Sequence, residues 1–129
     1  MEIKKFYDDN GYYLPIDAIE NTKIDKAYQK LIKLYQNPPK NIKHPWNLQA
    51  HLLANWIHEL CISPPLLDAV EKVIGPNILI QSADIFIKPA KGKNHINWHQ
   101  DANYWGLNPY DLVTGWIALN NVNLDNGCM

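Results

Sequence analysis

Cysteine is scarce in this chain. Its two thiols, Cys61 and Cys128, follow no CxxC spacing. That argues against a disulfide framework, against a thiolate zinc cluster, and for a reducing compartment. An excess of charge is also missing: 12 basic residues face 13 acidic ones, a formal net charge of -1. Nothing in that balance recruits nucleic acid or an anionic membrane. Long apolar runs are absent too, and no segment approaches the roughly 18 residues of a membrane span. The opening MEIKKFYDDNGYY holds no signal-peptide core. The expectation is a cytoplasmic protein whose partner is a small molecule, with no nucleic acid and no membrane. Internal repeats and low-complexity segments are lacking as well.

What is present is a globular composition, 47% hydrophobic against 19% charged, over 129 residues. That length suits a single domain. Tyrosine and tryptophan are plentiful, at seven and five. Such side chains line pockets and fill amphipathic cores equally well.

The first part of the chain reads as helical. In KAYQKLIKLYQ, Ala27, Leu31 and Leu34 recur at helical spacing, and Asn37-Pro38-Pro39 ends the run. A polar loop follows to about His44-Pro45. One helix is predicted from Leu48 to Leu60, with Leu48, Leu52, Trp56 and Leu60 on one face. Another starts at Ser63 as N-cap with Pro64 behind it, and stops at Gly75-Pro76. Beyond Asn77 the apolar period changes to two. ILIQSADIFIKP, INWHQD and LVTGWIALNNV read as strands, and Asp125-Asn126-Gly127 as a hairpin turn. Residues 1–76 are therefore expected to be mainly helical and 77–129 to carry strands, an α+β arrangement.

The chemistry concentrates in WHQDANYW, Trp98 to Trp105. Residues two apart in a strand point the same way, so His99 and Asp101 would present an imidazole and a carboxylate to one side. That is part of the facial arrangement of two histidines and one carboxylate that holds Fe(II) with open positions. Alone, the triplet is equally a polar strand face. Four other histidines offer themselves as partners. His51 and His58 lie seven apart on a predicted helix, while His44 and His95 fall in loop-like stretches. Solvent-facing or hydrogen-bonded structural roles are expected for these.

The flanks carry more. WHQDANYWGL followed by DLVTGWIALNNVNLDNGCM closely resembles the phytanoyl-CoA dioxygenase family of Fe(II)- and 2-oxoglutarate-dependent oxygenases, and FYDDNGYYLP and LLDAVEKVIGPNILI are similar to its N-terminal region. The resemblance implies N-terminal helices packed on a double-stranded β-helix, a jelly-roll or cupin-like barrel. It implies His99 and Asp101 as catalytic iron ligands, with Fe(II), 2-oxoglutarate and O2 as cofactor and co-substrates. Lys88 and Trp116 correspond to co-substrate contacts, although a solvated lysine and a packed core tryptophan fit those positions too. Tyr104 and Trp105 are candidates for a substrate wall. A carboxylate at Asp101 favours hydroxylation over halogenation. No basic cluster near Trp105 suggests a CoA phosphate site, which points to a smaller metabolite.

In the family a second iron-binding histidine, in a Pro-Gly-Ser-His segment, and a later arginine complete the site. This sequence holds neither. Together with a hairpin turn followed by two residues, that sets the expectation of a chain cut inside its domain, with only the first half of the barrel. The alternative is an inactive truncated barrel serving as a binding or scaffold module. A cupin-type enzyme independent of 2-oxoglutarate is a third reading.

Overall fold

A computed structural model describes residues 2–41, 49–92 and 95–129. His44, Pro45 and Leu48, which figure in the expectations above, lie outside the described residues. Six helices are present among them: α1 (Ile3–Asn10), α2 (Asn21–Gln36), α3 (Ala50–Leu53), α4 (Asn55–Cys61), α5 (Pro64–Ile74) and α6 (Ala102–Trp105).

The amphipathic helices form where the spacing predicts. In α2, Ala27 and Leu31 are buried, and Asn37 closes the helix with its N–H donating to the Lys33 carbonyl. In α5, Ala69 is buried and Leu66, Leu67, Val70, Val73 and Ile74 are half-buried. Pro64 takes the first helical position behind Ser63. The serine hydroxyl itself caps nothing and is buried without a partner. α1 packs against α5. Its exposed side carries Lys4–Asp8 and Lys5–Asp9 pairs at 2.9 and 2.8 Å, which suit i,i+4 helix spacing but add little in water.

The long helix predicted to end at Leu60 is split. Ala54 is extended, with φ -144 and ψ 117, and α4 starts anew behind it. The split rotates the two faces relative to each other. Ala50, His51 and Ile57 are the buried residues, whereas Leu52 is 73% exposed. His51 is therefore not solvent-facing. Its ring stacks on that of exposed His58 at 6.5 Å, and its Nδ1 has no partner.

The larger correction concerns residues 77–129. Among the described residues no strand forms, so the barrel strands predicted there are not observed. The backbone of 77–92 spends acceptors elsewhere. The Gln81 carbonyl accepts from the Gln49 side chain at 3.0 Å and the Ala83 carbonyl from the Ala50 N–H at 2.8 Å. Carbonyls two residues apart face one side, as in an extended chain, but their partner is the start of α3 and not another strand. Gln49 reaches this contact from a left-handed backbone, φ 62, which costs a non-glycine residue about 1 kcal/mol. The predicted turn at Asp125-Asn126-Gly127 does form. Asn123 Oδ1 accepts the N–H groups of Asp125 and Asn126, and Cys128 N–H closes on the Asn123 carbonyl. Gly127 supplies the φ of +83 that such a turn needs.

Apolar periodicity dictates which side chains share a face; a ladder also needs a neighbour for the backbone. Without one, much apolar surface stays open. The accessible area is 10610 Å². A folded monomer of 14.9 kDa shows roughly 7,000 Å². Leu79 and Leu124 illustrate the surplus at 87% and 92% exposure. Cys61 and Cys128 are both free, and burial pushes the Cys61 thiol above its ordinary value. No helix among the described residues is long and apolar enough to cross a membrane.

This packing separates two leucines. Leu31, 7% exposed, should lose about 2–5 kcal/mol of stability on truncation to alanine. Leu52→Ala should stay within about 0.5 kcal/mol. Urea unfolding of both variants checks the assignment, and equal losses would restore the unbroken helix.

Candidate metal site

His99 and Asp101 converge, though not from a strand. Asp101 has helical backbone angles, φ -57 and ψ -39, and opens α6. The carbonyls of Gln100 and Asp101 accept from Asn103 and Tyr104. Those groups serve a helical turn and are lost to any ladder. The turn nevertheless brings His99 Nε2 to 3.0 Å from Asp101 Oδ1.

The other ring nitrogen decides the electrostatics. His99 Nδ1 lies 2.7 Å from the Asn97 carbonyl. A carbonyl only accepts, so Nδ1 carries a proton. In the neutral ring Nε2 is then an acceptor, facing a second acceptor on Asp101. Two acceptors at that separation require a cation between them, either a proton or a metal ion. His99 has its pKa raised, first by the Asn97 hydrogen bond, which outweighs the lowering by desolvation, and then by the weaker Asp101 hydrogen bond and charge.

The same geometry suits a metal. Donors about 2.1 Å from one ion and at right angles to each other lie about 3.0 Å apart. One imidazole and one carboxylate are also a donor pair that Fe(II) accepts. The two residues thus fit two adjacent positions of an octahedral site. Among the described residues no group of three His, Cys, Asp or Glu gathers around a common point.

The surroundings place the remaining candidates. Tyr104 sets its ring edge-on to His99 at 6.0 Å and is 76% exposed. Ile96, Asn97, Trp98, His99 and Tyr104 line an open hollow of about 260 Å³. Trp105, on the same short helix, is half-buried. Lys88 meets a different group: its ammonium donates to the Gly127 carbonyl at 3.3 Å. A Cβ at position 127 would collide with that ammonium. Trp116 is exposed. His95 is exposed as well.

One contact escaped the sequence reading. Thr114 Oγ1 donates to Asp101 Oδ2. The alternation in LVTGWIALNNV put Thr114 on a face with Trp116 and Ala118, where a hydroxyl among apolar neighbours was the available signal. Nothing in that spacing named a partner thirteen residues upstream.

Comparison with known proteins adds the family. The profile described as phytanoyl-CoA dioxygenase (PhyH) matches residues 7–129. The chain belongs to that family. Among curated relatives, the peroxisomal phytanoyl-CoA dioxygenase of Homo sapiens is 23% identical over 152 aligned positions, and those of Mus musculus and Bos taurus are each 22% identical. Each alignment takes in 100% of this chain and 45% of the relative, so the chain spans about half the length of the curated relatives it matches. No solved structure gives a significant match.

The raised pKa carries a sign. Its stabilising contribution in the metal-free chain is fully present below the unfolded histidine value of about 6.5. It is lost as pH rises through the raised folded value. Metal binding runs the other way and strengthens as the proton leaves. An NMR titration of His99 should show the raised midpoint. Asp101→Asn should lower it without restoring the ordinary value, because the Asn97 bond, the larger cause, remains. A midpoint indifferent to that change would mean the two side chains do not pair in solution.

Proposed function

We propose that the intact protein is a non-haem Fe(II)- and 2-oxoglutarate-dependent dioxygenase that hydroxylates an unactivated C–H bond of a small organic molecule. The observation that carries this reading is the 3.0 Å approach of His99 Nε2 to Asp101 Oδ1, with Nδ1 tied to a backbone carbonyl. It falls inside the motif on which the resemblance rests. Membership of a dioxygenase family supports it at the coarser level.

In this reading His99 and Asp101 would hold the iron. Bound there, Fe(II) supplies the redox chemistry by which 2-oxoglutarate, O2 and substrate become succinate, CO2 and the hydroxylated product. The rest falls to the chain. The Asn97 carbonyl keeps the Nδ1 proton in place, so that Nε2 stays a ligand and not a donor. Tyr104, edge-on to His99, and Trp105 on the same short helix would contribute an aromatic wall against which a small substrate is oriented and from which water is excluded. Lys88 and Trp116 are assigned to 2-oxoglutarate. For Lys88 this requires the ammonium to leave the Gly127 carbonyl, a weak, exposed contact that a flexible side chain gives up readily. Residues 1–129 as the N-terminal part of one oxygenase domain, with the barrel completed in the intact protein, and a cytoplasmic location belong to the same proposal.

Succinate formation by the full-length protein, with Fe(II), 2-oxoglutarate and a panel of small acids and amines, tests the assignment. Asp101→Ala and His99→Ala should each reduce it by more than about 100-fold, beyond what loss of an outer hydrogen bond does. Turnover that survives Asp101→Ala removes the ligand assignment. Metal binding with no succinate from any substrate would support a binding module instead.

A further inference from the structure

Asp101 immediately precedes α6 with helical backbone angles and makes no capping bond. Its carboxylate is instead engaged at both oxygens, Oδ1 with His99 Nε2 and Oδ2 with Thr114 Oγ1. An ionised carboxylate only accepts, so the hydroxyl proton points at Asp101 and the direction of the bond is fixed.

Thr114 is itself held by its neighbour. An added Cβ on Gly115 would lie 3.4 Å from Leu66 Cδ1, so the backbone there runs directly over the α5 side chain. The order of contacts is α5, Gly115, Thr114, Asp101, His99. It runs from the helical core to the candidate metal ligands.

We propose that Thr114 is a positioning residue for metal capture, fixing the Asp101 carboxylate so that Oδ1 stays beside His99 Nε2. The inference rests on the metal-site reading above and deepens it. Outer partners of ligating groups typically contribute 10–100-fold in metal affinity. A carboxylate released from Thr114 is free to change rotamer, and the two-donor arrangement disperses.

The test is metal binding by the full-length protein, by anaerobic calorimetry with Fe(II) and by the visible spectrum of Co(II). Thr114→Val should weaken both metals by about 10–100-fold. Thr114→Ser, which keeps the hydroxyl, should bind within about 3-fold of the parent, below that range. The metal-free melting temperature should hardly move, since Thr114 is exposed. The rise in melting temperature on adding metal should shrink with the affinity. Should the valine variant fold poorly, Thr114→Ala removes the same hydroxyl without adding bulk, and the same loss is expected. Parent-like affinity in the valine or alanine variant, with binding abolished by Asp101→Ala, overturns the role of Thr114 and leaves the metal site standing. A parent protein that binds neither metal overturns both.

Discussion

Two acceptors held face to face make a cation site, and the chemistry proposed for this chain depends on that constraint. His99 Nε2 and Asp101 Oδ1 are 3.0 Å apart. The Asn97 carbonyl holds the ring proton on Nδ1. With that proton fixed, the imidazole cannot relieve the encounter by switching tautomer. A cation must settle it, and protons and metal ions compete for the place. The pair is solvent-exposed, so charge alone contributes little selectivity. Selectivity has to come from geometry, which makes the restraints on each side chain the decisive feature.

The helical part of the molecule contributes those restraints indirectly. α5 buries Ala69 and keeps Leu66 where Gly115 runs over it. Its neighbour Thr114 reaches the outer oxygen of Asp101. On the other side of the segment, α6 contributes the turn that swings Asp101 toward His99 and the ring of Tyr104 beside it. The aspartate before this short helix makes no capping bond, a small local loss of about 1 kcal/mol against a capped helix. Such departures from local preference are expected where a side chain has a second task.

How much of this was legible in the sequence differs element by element. α2 and α5 were, because apolar residues three and four apart and flanking prolines act locally. The turn at Gly127 was, because asparagine and glycine demand few distant contacts. His99 and Asp101 do meet, but not by the strand alternation that put them on one side: Asp101 has helical angles while His99 lies outside α6, and the approach depends on the irregular backbone between them. The break at Ala54 was not legible. Leu48, Leu52, Trp56 and Leu60 keep perfect helical spacing, and the burial of Ala50, His51 and Ile57 depends on where α3 and α4 pack. Nor was the fate of the Ile-rich segment after Asn77, whose pattern says extended chain and is silent on what its carbonyls bind. Thr114 stayed hidden because its partner is distant in sequence.

The open surface bears on the strength of the site. Trp98 and Tyr104, which line the hollow beside His99, are both exposed. In water each hydrogen bond to the carboxylate competes with solvent, and its net contribution is small. Covering aromatic side chains at the rim would lower the local dielectric, strengthening the Asn97, Asp101 and Thr114 bonds together, because each polarises the next. Cover and coordination are therefore coupled. In the proposed reading, whatever buries Trp98 and Tyr104 would also tighten the hold on a cation between His99 and Asp101. Conversely, a cation already in place removes the repulsion that a drier site would impose on two facing acceptors. Occupancy of the metal site and closure over the hollow should favour each other, and a substrate that stacks on Tyr104 should raise metal affinity by the same factor that metal raises its own.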